Sequence, residues 1–215
     1  MLLFKAMSAL LSYPSEEMRL ALPEIADIVG KAPLLDPVRR DELLALIDEL
    51  AQGQLLTVEE RYVDLFDRGR ALSLHLFEHL HGESRDRGEA MVELKRLYER
   101  AGFELAAREL PDYLPVLLEY LSCRDLAEAR DMLSDCAHIL ATIGRSLVAR
   151  RSRYAAVLQA LLVIAGERPI EVDKVPPVED RPEALDRDWV EQPAFGGPLA
   201  SVDPAAGAPA AQRRT

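Results

Sequence analysis

Three of the four histidines lie within seven residues, at His75, His79 and His81, in a stretch that is also rich in acidic and aromatic side chains. The sequence His-Leu-Phe-Glu-His at 75–79 matches the HxxEH pattern of inverted zinc peptidases. On a helix, the imidazoles of His75 and His79 would lie on one face, with the carboxylate of Glu78 beside them as a general base. One hypothesis from these residues is therefore metal-dependent hydrolysis.

The zinc hypothesis lacks a complete ligand set. A catalytic zinc needs three protein ligands and an open coordination position. His81 would point roughly 200° away from His79 if the helix continued, at ~100° per residue. Glu119 could supply a ligand, although no feature of its surroundings singles it out. The other interpretation is that His75 and His79 hydrogen-bond to nearby acids and form the polar wall of a binding groove.

Other catalytic signatures are missing from the sequence. It contains no GxSxG element, and the glycines near residue 85 lack the ending of a phosphate-binding loop. Cys123 and Cys136 lie 13 positions apart and form no CxxC pair, which is typical of buried thiols in a reducing compartment. The motifs therefore predict no catalytic residue and no metal ligand.

Composition favours a helical protein and is compatible with a basic partner, although an acidic surface that only confers solubility is the commoner explanation of such a charge. The chain has 215 residues, of which 49% are hydrophobic and 6% aromatic, and its apolar residues are mostly Leu and Ala, which favour helices. The net charge of -11 argues against nucleic-acid binding, which needs clustered cations, and suits basic partners. No apolar run approaches the ~20 residues of a membrane span, and the N-terminus lacks a signal-peptide pattern. We therefore expect a soluble, cytoplasmic protein without membrane insertion.

Apolar periodicity predicts that helices position these residues, up to about residue 166. Ser15 and the pair Asp36-Pro37 are expected to start helices, because their side chains and ring suit helix N-termini. Three of the predicted helical spans are 71–80, 125–149 and 154–165, the last of them buried at the centre. The predicted fold class is all-α, a single-domain bundle of about eight or nine helices over residues 1–168.

Residues 169–215 differ in composition from the rest of the chain. From residue 167 onward lie eight of the fourteen prolines, and the last fifteen residues are nearly all small or polar. Such a segment cannot bury enough apolar surface to offset the entropy of ordering. We predict a largely disordered tail, in which Leu185, Trp189 and Phe195 are the side chains that could dock on the helical body.

The central stretch also contains what a groove for an amphipathic helix would need, an apolar floor with an acidic rim. The predicted floor consists of Leu65, Phe66, Phe77, Leu114 and Leu118. The predicted rim consists of Asp67, Glu78, Asp112 and Glu119. Asp112 is also expected to cap the helix that follows it, in whose first turn Pro115 is tolerated. For Tyr62, Phe66 and Phe77 the alternative role is packing in the core.

Three motifs carry a resemblance to a known family. They are Tyr-Val-Asp-Leu-Phe-Asp-Arg-Gly-Arg at 62–70, His-Leu-His-Gly-Glu-Ser-Arg-Asp-Arg-Gly at 79–88, and Arg-Glu-Leu-Pro-Asp-Tyr-Leu-Pro-Val-Leu-Leu-Glu-Tyr-Leu at 108–121. These segments resemble the NarJ family, the assembly chaperones or delta subunits of respiratory nitrate reductase, and the likeness extends from the first helix to about residue 166. One departure is Tyr113, where the family pattern has histidine, so a protonation switch at that position would be lost.

The resemblance implies a chaperone without enzymatic activity and without a cofactor of its own. Its implied partner is the apo catalytic subunit of nitrate reductase, bound through a basic, amphipathic N-terminal segment, and the iron–sulfur subunit is a further candidate. The chaperone would act in the cytoplasm until the molybdenum cofactor and an iron–sulfur cluster are inserted, before membrane docking. Two alternatives stay open, namely a metal-dependent hydrolase that uses the HxxEH of residues 75–79 and a general helical scaffold with unrelated partners. The expected peptide-binding residues are Tyr62, Leu65, Phe66, Asp67, Arg70, His75, Phe77, Glu78, His79, Asp112, Tyr113, Leu114, Pro115, Leu118 and Glu119.

Overall fold

The computed structural model describes residues 1–81, 85–106 and 109–177, and the regular elements of this part of the chain are all helical. The all-α prediction is therefore confirmed, with ten α-helices in the described residues instead of eight or nine. They are α1 (Leu2–Leu11), α2 (Glu16–Lys31), α3 (Pro37–Gln52), α4 (Leu55–Phe66), α5 (Leu76–His81), α6 (Arg85–Arg100), α7 (Leu114–Ser122), α8 (Leu126–Asp135), α9 (Ala137–Ala149) and α10 (Ala155–Ala165). Short 3₁₀ turns span Arg70–Leu72 and Val172–Lys174.

Two helix starts follow directly from local sequence. The Ser15 hydroxyl accepts the backbone N–H of Met18 at 3.1 Å, and the Asp36 carboxylate accepts that of Arg39 at 3.0 Å. Pro37 is the first residue of α3, where its missing N–H costs no hydrogen bond. Each cap satisfies a backbone donor that the helix itself leaves unpaired, and both predicted starts are confirmed.

The core is built around α10, which contacts α1, α3, α8 and α9, while α1 also packs along α7. Nine of the eleven α10 residues are buried, which confirms the predicted central helix at 154–165. Its one polar residue, Gln159, is 3% exposed and accepts the backbone N–H of Ile170 at 2.9 Å. No helix within the described ranges is long and apolar enough to cross a membrane.

The predicted helix at 125–149 is two helices, because the chain turns at Cys136 between α8 and α9. Both helices contact α10. The buried side chains Leu133 and Leu140, both 0% exposed, continue one apolar seam across the turn. Periodicity therefore predicted one unbroken helix, since the interruption of the backbone leaves the apolar pattern intact.

The predicted helix at 71–80 is also wrong in its first half. The chain forms a 3₁₀ turn at Arg70–Leu72, runs without helical structure through 73–75, and begins α5 only at Leu76. The reason is a pairing with a distant segment, described below, which uses backbone groups that a longer helix would have used internally.

Beyond residue 168, where the predicted domain boundary stays a prediction, Ile170 packs on the helical body. The Ile170 side chain lies against Gly144 on α9, where an added Cβ would come within 2.5 Å of its Cδ1 atom. The side chain of Ile170 is half-buried and packs on the core. The predicted disorder beyond residue 177, and the possible docking of Leu185, Trp189 and Phe195, concern residues outside those that the structure describes.

Candidate functional site

Two segments from the sequence motifs meet through their backbones. The N–H of Leu76 donates to the carbonyl of Asp112 at 3.0 Å, and the N–H of Leu114 donates to the carbonyl of Leu74 at 2.9 Å. These bonds form an isolated antiparallel bridge centred between residues 75 and 113. The bridge fixes the segment before α5 against the start of α7, and it explains why α5 begins late.

The bridge brings His75 and Tyr113 face to face. Their ring centroids are 5.0 Å apart and the ring planes are tilted by 31°. Tyr113, where the resemblance led us to expect histidine, therefore lies directly against His75. Burial raises the pKa of the Tyr113 phenol above its ordinary value, so this side chain stays neutral near pH 7.

Asp112 is the buried centre of the cluster, with 0% of its surface exposed. One carboxylate oxygen accepts the backbone N–H of Phe77 at 3.1 Å, and the other lies 3.3 Å from Nδ1 of His75. Because an ionised carboxylate can only accept, this contact places the imidazole proton on Nδ1. The prediction that Asp112 caps its own helix is wrong, since Tyr113 occupies the N-cap of α7. Asp112 instead binds a first-turn N–H of α5, across the bridge.

Arg87 on α6 supplies a positive charge between two carboxylates of this cluster. Its guanidinium donates to a Glu78 carboxylate oxygen at 3.2 Å and lies 3.9 Å from the Asp112 carboxylate. The side chains of Arg87 and Glu78 are only 21% and 24% exposed, so their attraction is less screened than that of a surface pair. Sequence reasoning omitted Arg87 from the site, although the run Arg-Asp-Arg at 85–87 was a visible signal.

His79 has a structural partner of its own. Its Nε2 lies 2.8 Å from the backbone carbonyl of Ser73, and because a carbonyl only accepts, Nε2 must donate. His75 precedes α5 and faces Asp112. The shared helical face that the zinc hypothesis required is therefore not formed. In the described part of the chain, no three His, Cys, Asp or Glu side chains converge as metal ligands.

A tyrosine pair ties the cluster to the N-terminal helix. The Tyr62 hydroxyl on α4 donates to the carbonyl of Leu11 at 2.8 Å and lies 3.1 Å from the Tyr113 hydroxyl, which must then donate to it. Burial raises the Tyr62 pKa far above its ordinary value. The ring of Tyr13 packs edge-on against Tyr62, with centroids 5.6 Å apart. The start of α2 is thereby linked to α4 and α7.

The predicted site residues fall into three groups by exposure. The buried group consists of Tyr62, Phe66, Asp112, Leu114, Pro115 and Leu118. The half-buried group consists of Leu65, His75, Phe77, Glu78, His79 and Tyr113, and the exposed group of Asp67, Arg70 and Glu119. The floor prediction needs correction, because Phe66, Leu114 and Leu118 are at most 6% exposed and belong to the core. A bound peptide could contact the other two groups without repacking the bundle.

The helices of the described ranges form a bundle in which the polar cluster joins the start of α5, the start of α7 and α6. The chain belongs to the nitrate reductase delta subunit family, whose model matches residues 31–159, a range that contains the whole cluster. The family resemblance expected from the three motifs is thus confirmed.

Three proteins similar to this chain are named as nitrate reductase molybdenum cofactor assembly chaperones, two of them as probable ones. The chain is 41% identical over 191 residues to the nitrate reductase molybdenum cofactor assembly chaperone NarJ of Escherichia coli (strain K12), covering 86% of this chain and 80% of that protein. It is 40% identical over 200 residues to the probable assembly chaperone NarW of the same strain, covering 89% and 82%. It is 33% identical over 162 residues to the probable assembly chaperone NarJ of Bacillus subtilis (strain 168), covering 74% and 85%.

Proposed function

We propose that this protein is a cytoplasmic assembly chaperone for a respiratory nitrate reductase. It binds the N-terminal segment of the apo catalytic subunit and holds that subunit ready while the molybdenum cofactor and an iron–sulfur cluster are inserted, before docking at the membrane. The observation that carries the proposal is the 41% identity, over 86% of the chain, to a protein named as such a chaperone.

The charge distribution supports binding of a basic segment. The chain carries a net charge of -11, and Asp67 and Glu119, two of the exposed predicted site residues, are acidic. An acidic surface steers a cationic segment towards itself and raises the association rate at low ionic strength. The proposed activity makes and breaks no covalent bond, so it requires no catalytic group.

The polar cluster gives this binding surface a fixed shape. Asp112, His75 and Arg87 hold the start of α5, the start of α7 and α6 against one another. A surface that is already ordered loses less conformational entropy when a partner binds. The cluster therefore acts as a positioning element, and the exposed side chains around it make the contacts.

Co-purification with the apo catalytic subunit tests this proposal. The full-length subunit, produced without molybdenum cofactor, should be retained by the immobilised chaperone, whereas a version lacking its first ~20 residues, long enough for several helical turns, should be retained much less. Equal retention of both versions would contradict binding through the N-terminal segment.

Assembly itself is measured in cells. Nitrate reductase purified from cells lacking the chaperone should contain less molybdenum per catalytic subunit than enzyme from cells that produce it. Restoring the wild-type chain should restore the metal content. Full molybdenum occupancy without the chaperone would contradict the assembly role, independently of where the subunit binds.

A further inference from the structure

The outer face of α4 forms one side of an open groove that sequence reasoning did not identify. The groove has a volume of about 320 Å³, and its lining residues on α4 follow helical spacing. On α4 they are Leu56, Glu59, Glu60, Val63 and Asp64, and the groove is also lined by Arg68, just past the end of α4, and by Tyr13 from the segment before α2. Positions 56, 59, 60, 63 and 64 lie on one face of a helix because they recur every three or four residues. We call this surface the α4 groove.

The floor of the α4 groove is apolar and accessible. Leu56 is 67% exposed, Tyr13 is 49% exposed and Val63 is half-buried. The opposite face of α4 supplies Val58 and Tyr62 to the core, at 5% and 3% exposure. The helix is therefore apolar on two sides, and its outer apolar side has no covering element in the described ranges. Clustered exposed apolar side chains of this kind mark interaction surfaces.

The rim of the α4 groove is acidic and mostly unpaired. Of its three carboxylates, that of Asp64 pairs with Arg68 at 2.9 Å. Glu59 and Glu60 form no ion pair with any described residue, because the neighbouring Arg61 pairs instead with Glu49 at 3.6 Å. Three carboxylates and one guanidinium leave the groove with two uncompensated negative charges. A partner that brings cations and apolar anchors together would match both properties.

The α4 groove is linked to the polar cluster through a buried side chain. Tyr13, which lines the groove, packs on Tyr62 at 5.6 Å, and the Tyr62 hydroxyl lies 3.1 Å from that of Tyr113, which stacks on His75. Because Tyr62 is 3% exposed, this link runs through the core and holds Tyr13 in place relative to the cluster.

We propose that the α4 groove receives the apolar face of a basic amphipathic helix, whose cations pair with Glu59 and Glu60. This inference rests on the proposed function, which makes the N-terminal segment of the apo catalytic subunit the occupant. The face from Leu56 to Asp64 is about 12 Å long at ~1.5 Å per residue. That length accommodates about two turns of a partner helix, with anchor side chains at spacings of three and four.

Titration calorimetry with matched variants of the full chain tests the groove. The ligand is a synthetic peptide of the first ~20 residues of the catalytic subunit, a length of several helical turns. Leu56→Ser removes the most exposed apolar side chain of the floor, and Glu59→Gln combined with Glu60→Gln removes the unpaired charges. The controls are Leu20→Ser, at a 76% exposed leucine on α2 that does not line the groove, and the double change Glu89→Gln with Glu93→Gln on α6. The two charge variants change the net charge equally, so long-range steering changes equally in both.

We expect Leu56→Ser to raise Kd about tenfold, because a leucine buried by a partner contributes at least that factor. The glutamine pair in the groove should raise Kd about fivefold at low salt and less at high salt, and both controls should stay within about twofold. Circular dichroism should be unchanged, because all the replaced side chains except Glu59 are exposed.

The possible outcomes distinguish a failure of the groove assignment from a failure of the proposed function. If the wild-type chain binds the peptide and the groove variants bind as tightly as the controls, the groove assignment is overturned while the chaperone function stands. If the α6 charge variant weakens binding as much as the groove variant, only long-range charge matters and the assignment is also overturned. If the wild-type chain does not bind the peptide, the occupant and the proposed peptide recognition both fail.

Discussion

Replacing Asp112 by alanine should destabilise the bundle more than most single changes of a carboxylate. The side chain is 0% exposed, and its loss leaves the N–H of Phe77 without its acceptor and His75 without its carboxylate. A charge-assisted hydrogen bond contributes about 1.5–3 kcal/mol, and breaking a buried polar pair adds to that cost. Because Arg87 is 3.9 Å away and partly exposed, its contribution is discounted. We expect a loss of about 2–4 kcal/mol in the free energy of unfolding.

Urea denaturation followed by circular dichroism measures this loss. With a slope of about 2 kcal/mol per molar urea, the midpoint should fall by roughly 1–2 M for Asp112→Ala. Asp112→Asn retains an oxygen that can accept the N–H of Phe77 but carries no charge, so it should lose about half as much. The matched control is Asp27→Ala, which removes an exposed ion pair with Lys31 and should cost at most about 0.5 kcal/mol.

A free energy of unfolding for Asp112→Ala within about 0.5 kcal/mol of the wild-type value would contradict this expectation, because ordinary surface changes fall in that range. Fluorescence and circular dichroism should report the same midpoint for each variant, because the comparison of free energies assumes a two-state transition. Equal losses for the alanine and asparagine variants would indicate that the charge, and not the hydrogen bond to Phe77, carries the stabilisation.

Three other predictions concern thiols and phenols. Burial raises the Cys136 pKa to about 12, so iodoacetamide should label only the exposed Cys123 in the native protein and both thiols in denaturant; native labelling of both by mass spectrometry would contradict this. In urea denaturation, Tyr62→Phe should lower the free energy of unfolding by about 1–2 kcal/mol and Tyr113→Phe by less, because only Tyr62 also binds a backbone carbonyl. A larger loss for Tyr113→Phe than for Tyr62→Phe would contradict this. Burial raises the pKa values of Tyr62 and Tyr154 above 10.0, so their stabilising contribution is complete below pH 10 and is lost as pH rises further. Tyrosinate absorbance should therefore increase together with unfolding, not before it.

The parts of the fold that the sequence predicted are those set by nearby residues. Ser15 and Asp36 cap helices through side chains that reach only three residues along the chain, so local spacing was sufficient. The break at Cys136 was missed because buried leucines continue on both sides of it. The late start of α5 was missed because its cause, the Asp112 segment, lies about 35 residues away.

The assignment of the predicted site residues to peptide binding stays a prediction, and what the structure adds is their arrangement. Predicted site residues from 62–79 and from 112–119 do come together, at His75 with Tyr113 and at Tyr62 with Tyr113. Helical spacing cannot distinguish a groove floor from the core, because Leu114 and Leu118 would show the same period in either place; both are 0% exposed. The α4 groove was not predicted either, because its shape depends on a residue from a different segment of the chain. Leu56 and Val63 are separated by acids, and only the placement of Tyr13 opposite them forms a concave surface.

Calorimetric titration of the wild-type chain decides whether the protein binds the proposed peptide. The ligand is the ~20-residue N-terminal peptide of the catalytic subunit, of several helical turns, compared with a scrambled peptide of identical composition. We expect saturable one-to-one binding that weakens as salt is raised, and much weaker binding of the scrambled peptide because it lacks an apolar face. Equal heats for both peptides, or no binding at high micromolar concentration, would mean that the protein does not recognise this segment.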